Sequence, residues 1–150
     1  TRFYMDISEA LDVVTWATKA PKGSLVVPHL PAFDLLDLCH ALLGLARHQD
    51  VRDHITVIGM RPSEKLHEAL LTDDERARVT IYHTPSRYYV IAPHFQSWTS
   101  SQGSTSDDSS AVAPMPYVSH TWASRLTGEA LAERVRATLA LLDAHPEYCL

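Results

Sequence analysis

The sequence predicts an α/β fold, Rossmann-like, with a mostly parallel sheet flanked by helices on both faces. Three observations carry that reading. Leu25-Val26-Val27 is a short apolar run of the kind a buried strand makes. Pro28 and Pro31 end it, because neither has an N–H to give to a ladder. A helical pattern follows, with Asp34, Asp37, Ala41, Gly44 and His48 on one face. Leu35, Leu36, Leu38, Cys39, Leu42, Leu43, Leu45 and Ala46 cover the rest, a surface wide enough to pack on a sheet and on a second helix. Ile55-Thr56-Val57-Ile58 then reads as another buried strand. Strand, helix, strand is a βαβ unit, which implies parallel strands and a right-handed crossover.

The remaining elements follow in chain order. Asp6-Ile7-Ser8-Glu9 is a capping box, and Ile7, Ala10, Leu11, Val14 and Ala17 form one face of the helix it opens. Pro21 and Gly23 stop that helix. After the strand at 55–58, Gly59-Met60-Arg61-Pro62 makes a break, and Ser63 caps a helix expected to run to Leu70. Thr72-Asp73-Asp74-Glu75 is a second capping box that starts a short helical turn. Val79 to Tyr82 is a strand, Pro85-Ser86-Arg87 a turn, and Tyr88 to Ala92 a further strand rich in aromatic and β-branched residues. Residues 99–110 contain no apolar side chain and are expected to form a flexible polar loop. Ala111 to Ala113 is a short strand cut off by Pro114 and Pro116. Thr127 caps the last helix, with Glu129 in its first turn, Leu131, Val135, Leu139 and Leu142 as its stripe, and Pro146 at its end.

The 150 residues read as one domain, 45% hydrophobic and 21% charged, enough for an ordinary core. No run of 18 apolar residues marks a membrane span. No signal peptide is visible, and the chain starts at Thr1 without a methionine, so it is expected to be trimmed or a piece of something longer. A net charge of −5 argues against broad, charge-driven nucleic-acid binding. Two cysteines, Cys39 and Cys149, do not make a disulfide framework, which points to a reducing compartment. Nine histidines are scattered without any His-x-His, His-x-x-x-His or His-Glu-x-x-His spacing, so no local zinc site is expected.

Motifs for chemistry are mostly missing. The sequence contains no Gly-x-Gly-x-x-Gly, no Walker-type loop and no Gly-x-Ser-x-Gly. The turn after the first strand, Pro28-His29-Leu30-Pro31, has two prolines where a dinucleotide site needs backbone N–H groups close to phosphate. No cofactor is therefore expected. In an open parallel sheet, ligands collect at the carboxyl ends of the strands. That edge is expected to carry His29, Asp34, Arg61 and His83, residue types able to do acid–base work in a cleft. The plain alternative is that these are the polar residues any loop has.

The stretch Gly23-Ser24-Leu25-Val26-Val27-Pro28, then eight residues, then Asp37-Leu38-Cys39 and Leu42, resembles the β-CASP domain of the metallo-β-lactamase RNA-processing family. Pro85-Ser86-Arg87, His94-Phe95, Trp98 and Arg125-Leu126 are thinner echoes of it. Active members carry a Gly-Arg pair where this sequence has Phe33 and Asp34, and the His-x-His-x-Asp-His metal motif is absent. The resemblance implies a non-catalytic scaffold domain of a nuclear RNA 3′-end processing complex. It further implies a metallo-β-lactamase family nuclease as protein partner, and RNA binding only weakly or within a complex. The competing expectation is a small independent α/β enzyme or ligand-binding domain with its cleft at His29, Asp34, Arg61 and His83. A third is a Rossmann-like interaction domain of another assembly.

Overall fold

A computed structural model describes residues 1–45, 52–83, 87–93, 109–110 and 117–144. Thirteen short elements follow in order, counting one 3-10 turn. They are β1 (Arg2–Phe3), α1 (Ile7–Ala17), β2 (Leu25–Pro28), β3 (Ala32–Phe33), α2 (Leu35–Leu45), the 3-10 turn at Arg52–His54, and β4 (Ala69–Leu71). Then come α3 (Asp73–Arg76), β5 (Val79–Tyr82), β6 (Tyr88–Ile91), β7 (Ser109–Ser110), β8 (Tyr117–Val118) and α4 (Gly128–Ala144). The α/β class stands.

The mostly parallel order is not what the described strands form. The main sheet runs β2-β6-β5-β7, and every strand pairing in it is antiparallel. The reason is the Tyr88–Ile91 run. It folds back on β5 as a hairpin, placing Tyr82 opposite Tyr88, and its other edge takes β2, with Pro28 also opposite Tyr88. The expected partner of β2, residues 55–58, pairs with nothing among the described residues. Val57 is 84% exposed there and Ile58 72%. Strand propensity is realised only when a neighbour supplies the ladder, and here β6 has taken that edge.

The helix expected from Ser63 to Leu70 is also absent. Ser63 has φ +69°, in the left-handed region that a right-handed helix excludes. Glu64 instead closes a local turn, its N–H donating to the Arg61 carbonyl at 3.0 Å and its carboxylate accepting from the Arg61 N–H at 2.9 Å. The chain then extends into β4, which pairs with β8.

Both capping boxes form. Glu9 N–H donates to Asp6 Oδ1 at 2.9 Å and Asp6 N–H to Glu9 Oε2 at 2.9 Å. Thr72 N–H donates to Glu75 Oε2 at 2.9 Å. The strands at 79–82 and 88–91 and the last helix lie where the pattern puts them. Within the expected polar loop, Ser109–Ser110 is a strand that extends the sheet beyond β5. The turn at 84–86, the rest of that loop, and residues 46, 48, 94–98, 111–116 and 145–150 lie outside the described residues.

Two apolar clusters hold these pieces. Val27, Val79, Ile81, Tyr89 and Ile91 of the sheet meet Leu71 and Tyr117. Phe33, Leu131 and Val135 form the second cluster, with Tyr4, Leu38 and Leu126 packed on it, and this joins α2 to α4. Leu131 and Val135 are buried as the stripe predicts, whereas Leu139 of the same stripe is exposed. Neither α1 nor α2 buries a single residue fully.

Candidate functional site

The four sequence candidates fall at two places. Because β2 and β5 both run antiparallel to β6, they run in the same direction with β6 between them. His29 and His83, each one residue past its strand, therefore flank the start of β6 at one end of the sheet. Two strand spacings separate them, about 10 Å. His29 N–H donates to the Arg87 carbonyl at 3.0 Å. Its ring is half-buried, 5.2 Å from the Trp122 ring and 6.1 Å from Tyr89. Burial, and then the Arg87 charge, hold the imidazole below its ordinary pKa, so it is a neutral donor–acceptor at pH 7. A small hollow beside it is lined by Glu9, Asp12, Arg87 and Tyr88. His83 is exposed.

Asp34 and Arg61 belong to the other place. Asp34 sits between β3 and α2, and its Oδ2 accepts from Arg125 Nη2 at 2.9 Å. Arg125 is positioned by backbone: Ala32 N–H donates to Ser124 O at 2.8 Å and Leu126 N–H to Ala32 O at 2.8 Å. Its guanidinium also reaches the carbonyls of Ser119 and His120. Next to this pair His67 and His120 stack, ring centroids 4.4 Å apart. His67 Nδ1 shares a hydrogen bond with Thr1 Oγ1 at 2.8 Å, and Thr1 Oγ1 another with the buried Ser119 Oγ at 2.6 Å. Loss of water around the ring, then the neighbouring His120 and Arg2, push His67 below its ordinary pKa, against the pull of Asp34.

Arg61 opens the loop that leads into this cluster. The loop is fastened from below by Arg2, whose Nη1 donates to Leu66 O at 3.3 Å and whose guanidinium lies 3.7 Å from Glu64 and 3.6 Å from Glu68. Arg61 itself is exposed, and its guanidinium has no ion pair among the described residues. Gly59 at φ +78° and Ser63 at φ +69° bracket it. A serine held in that region stores backbone strain of the kind found in ligand-binding loops. No hydrogen bond or ion pair joins any two of His29, Asp34, Arg61 and His83 among the described residues.

Sequence reading missed His67, His120, Arg125, Arg2 and Ser119. His67 and His120 are 53 positions apart, and only the β4–β8 pairing brings them together. No spacing rule finds such a pair. A groove of about 510 Å³ between α2 and α4 is a third feature, bordered by Asp37, His40, Glu129 and Arg136. No group of three or more His, Cys, Asp or Glu able to hold a metal occurs among the described residues. Nor is any of their helices long and apolar enough to cross a membrane.

Fold and site together define an α/β chain with an antiparallel sheet, two histidines at one sheet end, and a cationic loop leading into a His–Asp–Arg cluster. A family model for polysaccharide biosynthesis proteins matches residues 1–91, and the chain belongs to that family. Over 94 residues it is 28% identical to the UDP-N-acetylglucosamine 4,6-dehydratase (inverting) of Campylobacter jejuni subsp. jejuni serotype O:2. It is 27% identical to the protein of the same description from serotype O:23/36. Each match covers 62% of this chain and 25% of the relative, so the chain spans about a quarter of their length.

These matches correct the β-CASP resemblance. Residues 1–91 include the whole Gly23–Leu42 pattern that carried it. A strand ended by proline, a short loop, and an acidic residue followed by leucines are the common grammar of a buried strand and a packed helix. The nuclear RNA-processing scaffold and the metallo-β-lactamase nuclease partner fall with that resemblance. The expectation of a non-enzyme loses its basis with it, because it rested on that resemblance and the relatives matched here are named as enzymes.

Proposed function

We propose that this chain is a sugar-nucleotide-recognising domain of a dehydratase-type enzyme in polysaccharide biosynthesis, acting on a UDP-linked amino sugar. The observation that carries this reading is the family match over residues 1–91, within which lies the strained Gly59–Ser63 loop with its exposed Arg61. A nucleoside diphosphate sugar carries two phosphates, and a guanidinium without a protein ion pair is the group best suited to a bidentate phosphate contact. In the proposed arrangement Arg61 takes the diphosphate, with Asp34 and its Arg125 partner bordering the same loop through His67. His29 and His83 form a separate polar rim at the start of β6. The absence of a Gly-rich phosphate loop from the sequence supports substrate recognition over dinucleotide binding by these residues.

The test is calorimetric titration of the chain with UDP, UDP-N-acetylglucosamine, uridine and free N-acetylglucosamine. UDP and the sugar nucleotide are expected to bind and the two phosphate-free compounds not to bind. Arg61→Ala is expected to weaken UDP about 10- to 100-fold, the range a lost charged hydrogen bond gives. Equal affinity for uridine and UDP, or an Arg61→Ala variant that binds UDP as the parent does, would sink the assignment.

A further inference from the structure

The far end of the Arg61 loop is held by a pair of imidazoles. β4 and β8 pair with Ala69 opposite Val118. Carried two residues further, the same antiparallel register sets Glu68 opposite Ser119 and His67 opposite His120. The hydrogen bonds agree. Ser119 N–H donates to the Glu68 carbonyl at 2.8 Å, and Glu68 N–H donates to Ser119 Oγ at 2.9 Å. Beyond them the two rings stack, with centroids 4.4 Å apart and planes 29° apart. The ladder behind the stack is short, three residues of β4 against two of β8, and its register shifts between Ala69 and Leu71. His120 is exposed and His67 half-buried, so protons from solvent reach both rings.

The charges around the pair are already matched to one another. The cations are Arg2, Arg125 and the Thr1 amino group, which donates to the Leu66 carbonyl at 2.9 Å. The acids are Asp34, Glu64 and Glu68. Asp34 Oδ2 accepts from Arg125 at 2.9 Å, and Arg2 lies 3.7 Å from Glu64 and 3.6 Å from Glu68. Among the described residues this leaves no free counter-ion for a second imidazolium. Protonation keeps the Thr1 contact whole, since its hydroxyl accepts from an imidazolium as readily as it donates to a neutral ring. What changes is the charge, because two imidazolium rings at stacking distance repel. The short, irregular ladder is the part able to give way without unfolding the rest. We propose that the stacked His67–His120 pair is an acid-operated latch on the Arg61 loop: with both rings charged, residues 61–68 come away from β8 and Arg61 loses its fixed position. The loop is closed at neutral pH and released at about pH 5 to 6, where paired histidines charge. The consequence for ligand binding rests on the sugar-nucleotide reading above, whereas the opening itself does not.

The experiment is amide hydrogen exchange on the whole chain, read by mass spectrometry from about pH 7.5 to about pH 5.5. Rates are corrected for the intrinsic pH dependence of exchange, and the α4 peptide is the reference for global unfolding. Peptides containing Glu68 and Ser119 are expected to lose protection at least about 10-fold more than α4 on acidification. His67→Gln and His120→Gln each remove one of the two charges, and in both variants protection is expected to stay level with pH. Level protection in the parent, or an equal loss in the parent and both variants, overturns the latch. Binding is read by calorimetry with UDP-N-acetylglucosamine, whose diphosphate is esterified at both ends and takes up no proton in this range. Its affinity is expected to fall at least about 10-fold in the parent and to stay level in the variants. An affinity that stays level while the amides open overturns the coupling to the loop. Amides that open in a chain that binds no sugar nucleotide support the latch and remove the sugar-nucleotide reading.

Discussion

Arg134 on α4 donates to Glu9 on α1 at 2.6 Å, between residues 125 positions apart. The same guanidinium lies 3.3 Å from Asp6 and 5.2 Å from the centre of the Tyr4 ring, whose hydroxyl shares a hydrogen bond with Thr138 Oγ1 at 2.6 Å. One side chain therefore binds the capping box of α1 to the middle of α4. The Glu9 hydrogen bond raises the Arg134 pKa above its ordinary value, although burial works against it. Removing the guanidinium leaves two half-buried carboxylates facing each other across the cap. Arg134→Ala is expected to lose about 1.5 kcal/mol, the lower end for hydrogen bonds to charged groups because the pair is partly solvated. The urea midpoint measures it. A double-mutant cycle with Glu9→Gln is expected to show coupling, and additive losses would refute the clamp.

Tyr117 is expected to be the most sensitive hydroxyl in the fold. It is fully buried, accepts a hydrogen bond from Leu30 N–H, and is within donating distance of the carbonyls of Pro28 at 3.0 Å and Leu30 at 3.1 Å. Burial raises its phenol pKa far above the usual value, so it stays protonated at any ordinary pH. Two prolines leave the 28–31 turn short of donors, and this one oxygen organises what remains. Tyr117→Phe keeps the ring but strands the Leu30 N–H in an apolar site, a loss of about 1–3 kcal/mol. A denaturation curve for Tyr117→Phe that overlays the parent would show that water takes over the contact.

Ser63 offers the opposite sign. A non-glycine residue in the left-handed region costs about 1–2 kcal/mol, and glycine gives back part of that relief through its greater freedom when unfolded. Ser63→Gly is therefore expected to stabilise the chain by up to about 1 kcal/mol. Thermal melting in the absence of ligand is the direct measurement, and a lower melting temperature would show that the serine side chain contributes something the geometry does not reveal.

How far the sequence was legible follows from the range of each interaction. The capping boxes at Asp6–Glu9 and Thr72–Glu75 span three residues, and both form as the pattern says. The strands at 79–82 and 88–91 are also local, carried by their own β-branched and aromatic side chains. What failed was pairing. Val26 of β2 has an equal appetite for any edge, and nothing local says that it will meet Val90 rather than residues 55–58. The two-residue strands β1, β3 and β8 are too short to carry a period at all, and exist because partners far along the chain hold them. The site divides the same way. His29 and His83 were reachable from strand ends, whereas the His67–His120 stack depends on the pairing of β4 with β8.

His67 of that stack, together with His29, sets the acid response of the fold. Both His29 and His67 are held below their ordinary pKa of 6.5. Above that pH the imidazoles are neutral in the folded and unfolded chain alike, and stability does not depend on them. As pH falls below 6.5 the unfolded chain takes up protons that the folded chain refuses, so unfolding becomes easier. Asp6 and Glu75 have pKa values below their ordinary 3.8 and 4.5, so the stability they give is complete at neutral pH and is lost only as pH falls below those values. The decline between pH 6.5 and 5 therefore belongs to the histidines. The urea midpoint is expected to drop across that interval, less steeply in His29→Gln and in His67→Gln than in the parent. A midpoint that stays level from pH 7 to 5, or falls equally in parent and variants, would show that neither imidazole is held neutral by the fold.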